Sequence, residues 1–212
     1  MTGATGTPGH DLGDIADLVV GWAVEGEDVE VVVGRGRHTE VRAYDSDVES
    51  LSSAESMGVG IRVVVDGREG FAHAATFDPD VLADTLADAR DNASFATPDP
   101  HVGLAEPDGV VVPDIDLFRP SLLAVPTEQK VEAALALEAA VKDADPRISG
   151  VDSAEFVDAM GEGCVASTTG IRSESSSTAC YVAVSCLATE DDLTRTGFGF
   201  SVGRELDDLV AD

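Results

Sequence analysis

The chain has 212 residues, 43% of them hydrophobic, and carries 41 acidic against 13 basic side chains for a formal net charge of −28. That apolar content can bury a core for one large or two small domains. Nucleic-acid binders need basic patches to displace counterions from phosphates, so direct DNA binding is not expected of so acidic a surface. The acidity suits a solvated surface in a saline cytoplasm, or a specific basic partner.

Residues 1–12 are Gly/Thr-rich, with neither a basic n-region nor an apolar h-region, and are read as a disordered tail and not a signal peptide. No stretch approaches the roughly 18 consecutive apolar residues of a membrane span, so a cytoplasmic location is expected. A helix follows over 14–25, with the apolar stripe Ile15, Leu18, Val19, Trp22 and Ala23 and with Asp11 and Asp14 as candidate caps. Strands are expected at 29–34, 39–45, 59–65 and 70–76. Asp66-Gly67 tolerates positive φ in a type I′ turn and closes the last two into a hairpin. Asp78-Pro79 then starts a helix with Val81, Leu82, Leu86 and Ala89 inward and four aspartates outward.

Residues 98–126 contain six prolines and few helical periods, which reads as a linker laid over the surface and a domain boundary. Beyond it Thr127 caps a helix to about residue 144, which carries Lys130 and Lys142, the only lysines of the chain. Strands are expected at 148–160, 163–168, 171–188 and 193–202, and Glu205 opens a last helix up to Asp212. Helix, four strands and helix thus occur twice. The expected fold is α+β, with an N-terminal helix/antiparallel-sheet/helix domain over 13–97 and a second over 127–212. A strip around Leu206, Leu209 and Val210 has nothing evident to cover it.

Several motifs invite a catalytic reading and fail on chemistry. Gly199-Phe200-Ser201-Val202-Gly203 fits the nucleophile-elbow pattern, but no histidine follows His101 to complete a triad in that order. Gly197, Gly199 and Gly203 miss the dinucleotide fingerprint by one residue, and Gly34-Arg35-Gly36 lacks its third glycine because Thr39 stands there. Asp45, Asp47 and Glu49 open like a calcium loop, yet Ser50 and Ser56 replace the required glycine and glutamate, so they are read as exposed residues around a strand end. Cys164, Cys180 and Cys186 are odd in number and lie in apolar runs, which suits reduced thiols. Cys180 and Cys186 are an even number apart and share one strand face.

The run from Asp45 to Ala72, through Gly58, Gly60, Arg62, Gly67, Gly70 and Phe71, resembles the N-terminal signature of the TldD/PmbA family, metallopeptidase-related proteins also called modulators of DNA gyrase. Pro113-Asp114-Ile115-Asp116-Leu117-Phe118-Arg119-Pro120 and the run Gly197 to Arg204, with Gly203 before an acidic helix start, strengthen the likeness. Together they resemble the PmbA (TldE) type, over the first two family domains at residues 10–212, and the family's C-terminal domain is expected to be absent.

The resemblance implies a heteromeric peptidase for peptide proteolysis. TldD-like subunits carry the zinc and PmbA-like ones complete a chamber that admits unfolded or extended peptides. This chain would then be a non-catalytic subunit, with no catalytic residue, metal or cofactor of its own and with a TldD-like partner, while its net charge argues against direct nucleic-acid binding despite the family's gyrase name. The family's zinc helix, H-E-x-x-x-H, has no counterpart around His10, His38, His73 or His101. Alternatives are a zinc site in a missing C-terminal domain and a free-standing binding module. In this reading the signature residues are structural or substrate-shaping. Gly58, Gly60, Gly67 and Gly70 bracket the hairpin. Arg62 faces outward or finds a carboxylate or carbonyl, and Arg204 pairs with Glu205 or with a partner subunit.

Overall fold

The computed structural model describes residues 11–111, 113 and 115–209. Its elements run α1 (Leu12–Val20), β1 (Glu27–Tyr44), β2 (Asp47–Val65), β3 (Arg68–Ala74), α2 (Pro79–Phe95), α3 (Pro120–Leu123), α4 (Thr127–Ala144), β4 (Ile148–Ser167), β5 (Arg172–Glu190) and β6 (Leu193–Gly203). A 3-10 turn at Leu206–Asp208 follows. The strands form one sheet in the order β3-β2-β1-β4-β5-β6, so the class is α+β, as expected.

Strand lengths depart from expectation. The eight short strands are six, four of them long, because the breaks expected at residues 35–38 and 161–162 are not breaks. Side chains alternate between faces along a strand, and the buried residues of β1 keep one parity throughout: Val29, Val31 and Val33, then Thr39, Val41 and Ala43. The intervening odd residues find polar partners without bending the strand away. Arg35 Nε lies 2.6 Å from Glu162 Oε2, and Arg37 Nη2 donates to the Leu123 carbonyl at 3.4 Å. Asp45, Asp47 and Glu49 are exposed around a strand end, as expected, between the end of β1 at Tyr44 and the first residues of β2. β2 begins at Asp47, and the turn before it places both Asp45 (φ 54°) and Ser46 (φ 65°) in the left-handed region of a tight hairpin.

The contacts divide the chain into two compact units that are not the contiguous stretches 13–97 and 127–212, because the long strands contribute to both. One is drawn from the described residues of Met1–Arg35, Ser56–Asp114 and Glu162–Ser175, the other from those of Gly36–Glu55, Ile115–Gly161 and Ser176–Asp212.

In the first unit, α1 starts at Leu12 because Asp11 accepts the Gly13 amide at 2.8 Å. α2 starts at Pro79 because Asp78 accepts the Asp80 amide at 2.9 Å. Both helices bury an apolar stripe on the sheet: Ile15, Val19, Leu82 and Leu86 pack with Val29, Val31, Ile61 and Val63. Each such aliphatic side chain contributes roughly 1.5–3 kcal/mol on burial.

The second unit buries Val41, Ala43, Leu122, Ala134, Val151, Phe156 and Cys180. Its helix α4 opens with Pro126 at the cap position and no side-chain cap bond, where Thr127 was the expected cap. Residues 98–126 are more than a surface linker. Leu122 is 1% exposed in this core, and the Leu117 carbonyl accepts the Thr178 amide at 3.0 Å. The last helix expected from Glu205 is the 3-10 turn Leu206–Asp208. His10, Asp114 and Val210 lie outside the described residues.

Candidate functional site

Strand pairing assembles the hairpin signature. β2 and β3 run antiparallel with Arg62 opposite Phe71 and Gly60 opposite His73. Residues opposite one another share a face, so Arg62, Phe71, Gly60 and His73 lie on the face turned away from the buried Val59, Ile61 and Val63. There Arg62 donates to Glu69 Oε2 from Nη2 (2.6 Å) and Nε (3.0 Å), and it lies 3.6 Å from Glu30 Oε1. The guanidinium therefore bridges β1, β2 and β3, the carboxylate partner its chemistry demands. Phe71 lies over Gly60: a Cβ there would stand 3.2 Å from the ring, so the missing side chain makes the seat for the aromatic. Phe71 stays 55% exposed and stacks on His73 with ring centroids 6.1 Å apart.

On the opposite face, Gly70 lets α2 approach. A Cβ at Gly70 would meet the Ala89 carbonyl and the Ala93 amide and stand 2.9 Å from Ala93 Cα. Gly67 occupies the turn at φ +69°, and a Cβ at Gly58 would lie 3.1 Å from the Ala74 carbonyl.

The second group of signature residues closes the end of β6. Arg204 Nη1 donates to the Thr178 carbonyl at 3.0 Å and the Leu117 carbonyl at 3.3 Å, tying β5 to the segment before α3. Its partners within the chain are thus carbonyls, where Glu205 or a partner subunit had been expected, and Glu205 accepts the Ser121 hydroxyl at 2.9 Å. The Asp208 carboxylate accepts the amides of Arg204 (2.8 Å) and Glu205 (3.1 Å), and these bonds hold its pKa below the usual carboxylate range. Gly203 permits that fold-back, since a Cβ would stand 3.2 Å from Asp208 Oδ2. A Cβ at Gly197 would stand 3.0 Å from Cys186 Sγ.

Sequence reasoning missed the buried ion pairs of α4. Lys130 pairs with Asp158, their side chains 5% and 2% exposed. Glu138, 1% exposed, lies 2.8 Å from Lys142 Nζ and accepts the Ser46 amide at 2.9 Å, so it fixes the β1–β2 turn. The signal was in the spacing: Lys130, Ala134 and Glu138 recur every four residues and share the face that proves buried.

A zinc ion takes three or four converging donors. Among the described residues no three His, Cys, Asp or Glu side chains are placed to hold a metal. No helix among them is long and apolar enough to cross a membrane.

Comparison with known proteins matches residues 29–93 to the family model of PmbA/TldA metallopeptidase domain 1, and residues 120–212 to that of the PmbA/TldA metallopeptidase central domain. The chain is 27% identical over 182 residues to metalloprotease PmbA of Escherichia coli O157:H7, covering 85% of this chain and 40% of that protein. It is 24% identical over 197 residues to the metalloprotease PmbA homolog of Haemophilus influenzae, covering 90% and 43%. Its fold is similar to a protein described as a modulator of DNA gyrase from Bacteroides thetaiotaomicron (TM-score 0.82, 19% identity, 93% of this chain and 46% of that one). It is also similar to TldE from Thermococcus kodakarensis (TM-score 0.76, 19% identity, 85% and 40%). The chain spans less than half the length of each of these relatives.

Proposed function

The chain belongs to the PmbA/TldD family, and from that premise we propose that it is a PmbA/TldE-like, non-catalytic subunit of a zinc metallopeptidase complex. Its role is to shape the chamber in which a TldD-like subunit cleaves unfolded or extended peptides. The observation that carries this reading is what the signature residues do. Gly60, Gly70 and Gly203 admit a ring, a helix and a returning chain, and Arg62 and Arg204 hold strands together. They are spent on backbone shape and not on a reacting centre. The naming of its relatives as metalloproteases PmbA supports the peptidase setting.

The test is cleavage of an unfolded reporter peptide by a zinc-loaded TldD-like subunit. It is measured alone, with this chain, and with this chain carried on through the length its relatives span. The expected result is no hydrolysis by this chain alone, and faster hydrolysis when the longer form joins the TldD-like subunit. Chelator-sensitive cleavage by this chain without a partner would overturn the non-catalytic role.

A further inference from the structure

The second unit carries a groove of about 600 Å³ along the margin of its core. One wall is Ala133, Ala136, Leu137 and Ala140 of α4, and Val182, Leu206 and Leu209 line the rest. Ala133, Leu137, Val182, Leu206 and Leu209 form the groove's floor, packed against the core around Ala134, and Ala136 and Ala140 stay exposed on its α4 wall. An apolar stripe this wide on a helix normally has a neighbour over its exposed part. We propose that this groove receives an amphipathic α-helix of a partner protein, its apolar stripe against α4 and basic side chains along its margin.

The shape favours a helix. Alanines at 133, 136 and 140 recur at helical spacing and leave Leu137 as the one large apolar side chain of that wall, so a second helix axis can approach to the usual 8–10 Å. The first unit shows the same arrangement filled. There the edge strand β3 turns Gly70 inward and α2 packs directly on it. In the second unit the edge strand β6 turns Gly197 and Gly199 to the inner face, opposite Cys186 and Val184. The Cβ position of Gly199 is open, with Val184 Cγ1 nearest at 3.9 Å, and among the described residues the short 3-10 turn packs on β6.

The charge selects the occupant. Glu132 lines the groove beside Gln129, and Glu128 and Asp207 are exposed on the two elements that bound it. The one basic group of that stretch of α4, Lys130, is buried against Asp158. A second copy of this chain would bring net −28 to an acidic rim, whereas a basic-flanked helix gains from the same field. The inference is independent of the peptidase reading.

The experiment uses the 212-residue chain and synthetic helices of about 18 residues with leucines at i, i+3, i+4 and i+7. One carries lysines on its polar face, one carries glutamates, and one is the lysine form broken by a central proline. Fluorescence anisotropy is expected to show saturable binding of the lysine helix that weakens with salt, with the glutamate and proline forms at least about tenfold weaker. Ala136→Phe fills the groove and should abolish binding. Ala139→Phe, exposed on α4 but outside the groove, should bind like wild type, and matched melting temperatures certify both folds. No binding of the lysine helix, equal binding of the glutamate helix, or binding unchanged by Ala136→Phe would overturn the proposal. So would sedimentation showing self-association that Ala136→Phe abolishes, since a second copy would then be the occupant.

Discussion

Arg90 of α2 grips Glu27 at the head of β1 along two parallel contacts, Nη2 to Oε1 at 2.6 Å and Nε to Oε2 at 3.0 Å. The same Nη2 donates to the Trp22 carbonyl at 2.9 Å. The Glu27 side chain is only 5% exposed, so the guanidinium compensates a carboxylate that water barely reaches. One side chain thereby joins α2, the α1–β1 connection and the first strand.

Arg90→Ala strands that carboxylate and should lower unfolding free energy by about 2–4 kcal/mol. This is the low side of a buried pair, because Arg90 is itself a third exposed. Arg90→Lys should recover less than half, since an ammonium cannot fork across two oxygens. Urea unfolding midpoints measure both, and a loss below about 1 kcal/mol for the alanine variant would mean the pair is solvent-screened.

Two glycines on edge strands should respond oppositely to the same change. Gly70→Ala drives a methyl into the Ala89–Ala93 backbone and should destabilise by about 2–3 kcal/mol. Gly199→Ala meets only Val184 Cγ1 at 3.9 Å and should be neutral or stabilising by up to about 1 kcal/mol. Thermal unfolding of the pair decides, and equal losses would refute the packing difference.

Burial pulls the Glu138 pKa upward, but Lys142 and the Ser46 amide outweigh it and hold the group below the usual carboxylate range. A depressed folded-state pKa stabilises above the unfolded value of about 4.3 and loses that contribution as pH falls through the folded value. The stability gap between wild type and Glu138→Gln should therefore stay constant from about pH 7 to 5 and narrow below about 4. A gap that closes between pH 7 and 5 would show that burial wins.

Forty-one carboxylates against 13 cations repel one another in the compact state. Salt shortens that repulsion to about 10 Å at 0.1 M, so the melting temperature should climb toward about 1 M potassium chloride. A flat or falling curve would show that pairs such as Arg62–Glu69 and Arg172–Glu174 already balance the surface locally.

Burial pushes the Cys180 thiol up to about 11 and raises Cys164 as well, and each is 1% exposed. In the native protein at about pH 8 a disulfide reagent should find at most one fast thiol, Cys186. The other two should react at the unfolding rate. Three fast thiols would contradict this burial.

What the sequence by itself determined were the features set by near neighbours. Asp11 and Asp78 cap their helices because an aspartate oxygen reaches amides two and three residues ahead. Asp66-Gly67 fixes the β2–β3 register because few dipeptides accept two positive φ angles. The family signature was legible for the same reason, since its glycines mark places where a backbone comes close. The tertiary structure alone decided what depends on distant partners. Gly34-Arg35-Gly36 looks like a break until Glu162 meets Arg35 from β4 and the strand runs on. Leu122 looks like part of a linker until the core closes over it. Lys130 is in sequence only one of the two lysines of its helix, and the arrival of Asp158, 28 residues further along the chain, makes a charge tolerable at 4% exposure. Local chemistry is written in adjacent residues, whereas the desolvation of a charge and the pairing that permits it exist only once the chain has folded.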